Sequence, residues 1–305
     1  AAGAVQSPHI LQLSGVGDPE DLRPHGIDVV HELKGVGANL QDHLDASIAY
    51  ECPQPITIHS MRKGHRQLLV GLDYMFRRQG IGRQNFLEAG AFLRSHKGLD
   101  RPDLQIHTVL AIMQDHGKVS HKKDGYTFHV CQLRPESRGR IGLKSADPLA
   151  DPAIFAGYLA TETDRRTLRE GVKIVREVAA EAALKPFTGE ELFPGKGVGT
   201  DAEIDAWIRG AAETIYHPVG TCRMGASGDA MAVVDGECRV QGLERLRVVD
   251  ASVMPTLVGG NTNALSKQQQ SSDWGAEKIS DAIRGRGFLA PEEAPVYEPG
   301  GVKAA

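Results

Sequence analysis

The stretch from Tyr216 to Asn263, YHPVGTCRMG and then VVDGECRVQGLERLRVVDASVMPTLVGGNTN, constrains this chain more than any other. It sets one histidine after a polar helical pattern, passes through the β-rich runs VVDGECRVQG and LRVVDAS, and ends at a glycine-rich turn carrying two asparagines. An imidazole such as that of His217 can accept a proton near neutral pH, whereas the carboxamide of Asn261 exchanges hydrogen bonds without titrating. One base and one neutral polar partner suit the oxidation of an alcohol, in which the hydroxyl proton leaves as a hydride departs from the adjacent carbon. A lone histidine before proline, one of twelve in the chain, is more often structural, so residue type and spacing alone do not assign the role.

The 305 residues leave room for two domains or one large one, and a net charge of −4 with 24% charged residues describes an ordinary soluble protein. No basic excess points to nucleic acid. No run of eighteen apolar residues occurs, and the opening AAGAVQSP lacks a basic n-region, so neither a membrane span nor secretion is expected. Cys52, Cys131, Cys222 and Cys238 show no CxxC spacing and no clustering with histidine. Reduced thiols in a cytoplasmic setting and no metal follow, with peripheral association at the inner membrane left open.

Along the chain, AAGAVQSPHILQLSGVG reads as strand, turn and helix, with Ser7 as cap and Pro8 at the first helical position. The glycine turn GxGxxG, which seats a pyrophosphate at a helix N-terminus, is absent: GVGDPE, GVGANL and GKGVGT each lack the third glycine at the needed spacing. Gly189 to Lys196 is no phosphate loop, since five residues separate Gly189 from Gly195 and Gly197 stands where Ser or Thr belongs. GVGANLQDHLD is a glycine turn running into a polar segment, and His43 reads there as a packed or capping residue. From Ala46, IAYECPQPITIH changes to β-branched and aromatic runs and marks entry to a second domain.

Glu88 in QNFLEAGAFLRS sits among Phe86, Leu87, Ala89 and Phe92, and a buried carboxylate there needs a cation, either a ligand or a nearby Arg. DLQIHTVLAI and GYTFHVCQLRP alternate as sheet strands do, and SRGRIGLKSADPLADPAI adds a hairpin with proline-marked turns. His107 and His129 fall on those strands as ordinary sheet positions, and QDHGKVSHKKDG reads as a charged loop. TETDRRTLREGVKIVREVAA places Leu168, Val172, Val175 and Ala179 on one helical face. TDAEIDAWIRGAAE begins with a capping box, Thr200 and Glu203, and delivers the chain to His217.

HPVGTCRMG followed by LRVVDASVMP and GNTNA resembles the C-terminal signature of the glucose-methanol-choline (GMC) oxidoreductases, and Gly3 through Ser7-Pro8 to Gly17 resembles the family's second signature. The resemblance spans residues 1 to about 286. It implies an α+β fold: part of an FAD-binding α/β domain (1–45 and 213–286) and a substrate domain (46–212) with a mainly antiparallel sheet flanked by helices, then a flexible tail at 287–305. It pairs His217 with a His or Asn 44 positions on, which is Asn261 here. It places Asn39, Leu40, Asp250, Ala251, Thr262 and Asn263 beside the flavin. A helix starting at 261–263 would aim its positive end where charge gathers on reduction.

YECPQPI, the Asn form of the pair and Glu88 resemble the choline-oxidising branch, in which a Glu in E-x-G-x-F context faces the substrate's trimethylammonium group. The implied activity is FAD-dependent oxidation of a primary alcohol, choline or aliphatic, to the aldehyde, with a quinone-like acceptor or oxygen taking the electrons. The chain departs from the family at NALSKQQQSSDWG, where polar residues stand in place of an apolar helix start. The departure reads either as an insertion before AEKISDAIRG resumes the helix or as a sequence error or disabled copy at 265–275, while the missing glycine turn, with the second signature at the start, suggests the C-terminal half of a longer protein. The competing expectation is a non-catalytic fragment that holds no cofactor, and the chain alone is expected to be colourless.

Overall fold

The computed structural model describes residues 1–305 apart from Phe86, Glu88, Ser120 and the segments 264–275, 286–295, 299–300 and 304–305. Its packing divides the chain into two units, one made of residues 1–43, 134–160 and 216–305 and the other of 44–133 and 161–215.

The first unit is organised on the helix Gly3–Leu13. The sequence suggests Pro8 as the first helical residue, but the helix begins at Gly3 and carries Pro8 inside it. A proline there offers no N–H to the carbonyl four residues back. The Thr221 hydroxyl supplies the missing donor, bonding the Ala4 carbonyl at 2.6 Å. The helix start is completed from elsewhere too, because Ala2 has no capping side chain. Asp250 accepts from the Ala2 and Gly3 amides at 3.0 and 3.1 Å and from the Ser7 hydroxyl. A carboxylate at that end also opposes the helix's partial positive charge.

Around this helix the segments Gly35–His43, His217–Met224 and Asp250–Leu257 lie side by side. Gln41 and Val219 exchange both backbone bonds, at 3.0 and 2.8 Å, while the Cys222 and Met224 amides bond the Ser252 and Val253 carbonyls, each at 2.8 Å. Residues 134–160 join the same unit because Leu40 exchanges backbone bonds with Gly139 and Ile141 donates to Gly37. The apolar core beneath includes Leu11, Val36, Cys222, Val234 and Val248, with Ile279 from the helix Ala276–Ile283. In the segment expected as a tail, Val296–Glu298 pairs antiparallel with Gly301–Lys303.

The second unit is a six-stranded antiparallel sheet. Its order is Glu213–Thr214, Leu44–Glu51, Gly125–Gln132, Leu104–Val109, Ala89–Leu93, and Glu191–Phe193 pairs the outer side of Leu44–Glu51. Alternation along the strands separates two faces. On one face Ile48, Tyr50, Tyr126, Phe128, Val130 and Ile106 are buried, and the Tyr50 and Tyr126 rings stack at 5.7 Å. The helix Glu162–Ala180 covers this face, capped by the Thr161 side chain, with Leu168, Val172 and Val175 fully buried. Gly171 permits the approach, since a Cβ there would meet Val130 Cγ1 at 2.5 Å. The other face is polar.

Thr221→Val keeps the shape of the side chain and removes the hydroxyl. It should leave the Ala4 carbonyl without its donor and cost about 1–3 kcal/mol, read as a lower midpoint in denaturant unfolding at unchanged slope.

Candidate active site

The polar segment before the central strand, Gln41, Asp42 and His43, is wholly buried, His43 at 0% exposure. A buried run of three polar residues demands partners for every group, and those partners build the site. Gln41 donates to the Pro255 carbonyl at 3.1 Å and accepts from the Leu257 amide at 3.1 Å. Asn39, in a left-handed conformation (φ 62°), donates to the carbonyls of Gly220 and Pro255 and accepts from Arg138 Nε. Gly220 itself is at φ +90°, and a Cβ there would stand 2.7 Å from the Asn39 carbonyl oxygen.

His217 follows Tyr216, an exposed residue at φ 63° that turns the chain. The half-buried His217 donates its backbone N–H to Asp42 Oδ1 at 2.9 Å, and the other Asp42 oxygen accepts from the Tyr158 hydroxyl. Its Nδ1 lies 2.9 Å from Nδ1 of His43, with the rings edge to face at 5.1 Å. Two ring nitrogens at that distance share one proton, so one is donor and the other acceptor. When His217 donates, its Nδ1 carries hydrogen and its Nε2 keeps the lone pair of a base. Nothing in residue type marks His43 for this part; the only trace in the sequence is three polar residues directly before an apolar strand.

The remaining residues singled out from sequence fall in different settings. Leu40 is a core residue with both backbone groups paired to Gly139. Asp250 is occupied by the helix it caps. Burial works against its ionisation, but the hydrogen bonds of Ser252, Ser7 and backbone amides more than offset this and hold the carboxyl below its usual range. The Ala251 carbonyl accepts from the Gly220 amide at 3.2 Å. Asn261 and Asn263 are exposed and Thr262 is buried at a helical turn that opens four to six residues beyond the Leu257–Gln41 bond. Glu88 lies outside the described residues, as do residues 264–275, where the sequence departs from the family. Burial pushes the Cys222 thiol up to about 12, which removes it as a nucleophile at neutral pH.

A second polar cluster lies on the sheet of the other unit. His129 Nδ1 bonds Asp45 Oδ2 at 2.6 Å and Ser47 Oγ at 3.0 Å, and His107 is its cross-strand neighbour. Asp45 Oδ1 and Gln105 Oε1 on the same face are buried without a protein partner. Burial lowers His107, whereas for His129 burial is outweighed by the Asp45 carboxylate, which raises it. These two strand histidines therefore share a half-buried polar layer with the Asp45 carboxylate. Among the described residues no group of three or more His, Cys, Asp or Glu could hold a metal ion.

Comparison with known proteins assigns the class of this fold. The GMC oxidoreductase family models match residues 1–45 and 135–266, together more than half of the chain. The chain belongs to the GMC oxidoreductases, FAD-dependent enzymes, with the α+β architecture described above. Its similarity is strong to the oxygen-dependent choline dehydrogenase of Acinetobacter baumannii (strain AYE), 46% identical over 296 residues, 97% of this chain and 52% of that protein. It is 45% identical to human mitochondrial choline dehydrogenase over 98% of this chain and 49% of that one. Among solved structures, formate oxidase aligns at a TM-score of 0.77 and 26% identity, covering 85% of this chain and 50% of that one. Pyridoxine 4-oxidase from Mesorbium loti aligns at 0.74 and 28%, covering 87% and 48%. The chain thus spans about half the length of the curated relatives it matches.

Because the folded value of His129 lies above its unfolded value of roughly 6.5, the Asp45–His129 pair stabilises fully below about pH 6.5 and loses that contribution as pH rises through the folded value. His107 is lowered by burial against an opposing pull from the same Asp45 carboxylate, so loss of Asp45 lowers it further and adds to the penalty in acid. Asp45→Asn should therefore lower the melting temperature most in mildly acidic buffer, with the gap to wild type narrowing as the solution becomes alkaline.

Proposed function

We propose that this chain is the part of an FAD-dependent choline dehydrogenase that carries the catalytic base, and that the whole protein oxidises the alcohol to the aldehyde. The observation that carries the reading is the His217–His43 contact at 2.9 Å, which gives one half-buried imidazole a fixed partner on its Nδ1 side. The identity of 45–46% to choline dehydrogenases supports choline over an aliphatic alcohol.

The polar groups fit a flavin ring. The Asp250 carboxylate is turned into the helix Gly3–Leu13 and the Asn39 amide is consumed by Gly220, Pro255 and Arg138, so no carboxylate from this set opposes charge gathering on a reduced ring. Asn261, Thr262 and Asn263 would hold its polar edge through neutral groups, while Asn39, Leu40, Asp250 and Ala251 would line it through backbone and carbon surface. FAD, when bound, supplies the hydride acceptor.

The chain's own residues do the rest. His217 Nε2 takes the hydroxyl proton of the alcohol. The ring then carries hydrogen on both nitrogens, and its Nδ1–H keeps its acceptor only while His43 stays neutral and protonated on Nε2. Asn261 donates to the alcohol oxygen without competing for the proton. Glu88 would face the trimethylammonium group, and a quinone-like acceptor or oxygen would take the electrons. Among the described residues no helix is long and apolar enough to cross a membrane. We place the protein in the cytoplasm, with peripheral association at the inner membrane left open.

In the full-length flavoprotein His217→Ala should lower kcat/KM for choline by roughly 10²–10⁴ at unchanged flavin content. His43→Leu should remove the acceptor of the imidazolium and shift the acid limb of the kcat/KM profile to lower pH, with His43→Asn restoring part of the rate. Flavin reduction by His217→Ala at the native rate would refute the assignment.

A further inference from the structure

Of the buried run Gln41, Asp42 and His43, the carboxylate has no part in the proton transfer proposed above. The backbone around it gives it one. Gln41 and Val219 exchange both backbone bonds as an isolated antiparallel bridge. Alternate residues of an antiparallel ladder exchange bonds, so the same register carried onward would set the His217 N–H against the His43 carbonyl. The ladder stops before that pair, and the N–H goes to Asp42 Oδ1 at 2.9 Å. A side-chain carboxylate thus does the work of a main-chain carbonyl at the residue that carries the base.

The carboxylate is itself held, because its Oδ2 accepts from the Tyr158 hydroxyl at 2.5 Å. Tyr158 arrives on a turn of costly backbone. Gly157 is at φ +68°, where a Cβ would stand 2.3 Å from the Arg138 carbonyl oxygen, and Leu159 is at φ 59°. A left-handed leucine costs about 1–3 kcal/mol and persists only where its surroundings fix it. Here the next amide, of Ala160, is tied to Ser137 Oγ at 2.9 Å. Asn39 and Tyr216 are left-handed too, and they lie close before Asp42 and directly before His217. Strained backbone therefore flanks all three members of the chain Tyr158, Asp42, His217.

Charge gives the arrangement a use. From Asp42 Oδ1 the path to the imidazole is one hydrogen bond and the N–Cα–Cβ link of His217, so the carboxylate lies within a side chain's length of the ring. A ring that takes the alcohol proton becomes cationic, and a fixed negative charge at that range favours the cationic form. The titratable and charged groups that bond at this place, among the described residues, are Asp42, His43 and Tyr158. Arg138 is held at Asn39, and Asp250 caps the first helix.

We propose that Tyr158 and Asp42 are a positioning pair for His217: the phenol fixes the carboxylate, and the carboxylate fixes the main chain of the base and favours its cationic form. The inference deepens the reading of His217 as the base and rests on it.

The test uses the full-length flavoprotein and choline. Tyr158 is 36% exposed, so Tyr158→Phe removes a hydroxyl without hollowing the core. It should lower the limiting rate of flavin reduction about tenfold, with KM for choline altered by less than about twofold and flavin content intact. Amide exchange over residues 216–221 should quicken in the same protein. Asp42→Asn keeps the shape and one acceptor, and it should lower the rate about a hundredfold and move the acid limb of the kcat/KM profile to lower pH. Added to His217→Ala, Tyr158→Phe should slow the reaction no further, because it acts through that ring. Should Asp42→Asn fail to hold flavin, Tyr158→Phe decides alone. A Tyr158→Phe protein with the native rate and acid limb, or one whose defect adds in full to that of His217→Ala, would overturn the inference. His217→Ala at the native rate would remove the base and the pair with it, whereas a slow His217→Ala beside a native Tyr158→Phe would sink the pair alone.

Discussion

A helix that cannot satisfy its own backbone holds the first unit together. Gly3–Leu13 contains a proline and starts without a side-chain cap. Both deficits are met by residues more than 200 positions away, Thr221 on the Ala4 carbonyl and Asp250 on the Ala2 and Gly3 amides. Unpaired backbone groups in a buried setting are costly, so the helix is stable only where the segments around Thr221 and Asp250 are already in place. That coupling fixes residues 2–8 to the segment that follows His217 and to the turn that precedes Asn261.

The same logic continues through the side-chain amides. Asn39 and Gln41 use their carboxamides on the carbonyls and amides of residues 220, 255 and 257, which turns three loops into one layer. His43, fully enclosed next to them, gives His217 a partner that can accept a hydrogen bond without bearing charge. The other unit solves a similar problem with an ion pair, Asp45 with His129, and so its polar sheet face is pH-sensitive where the amide layer is not.

The apolar stripe of 162–180 was legible from its spacing; the stripe of 64–77 repeats in the same way but emerges only with the structure, and of the two only the first is covered. Coverage depends on Gly171, whose missing side chain lets the helix approach Val130, and no comparable seat receives Leu68 or Phe76. Likewise, alternation along 104–109 and 125–132 identified the strands, but not that their polar residues share a buried face with Asp45, because that requires the register His107 to His129 to Ser47.

By itself the sequence determined the family, the antiparallel sheet, the capping box at Thr200 and the position of His217, since these rest on local spacing and on motifs read in order. Only the tertiary structure decided that Pro8 lies within a helix, that residues 134–160 pack with residues 1–43, and that His43 is the neighbour of His217. The physical reason is common to all three. Each depends on a hydrogen bond between groups over a hundred residues apart, and the local pattern of neither partner says which distant group completes it.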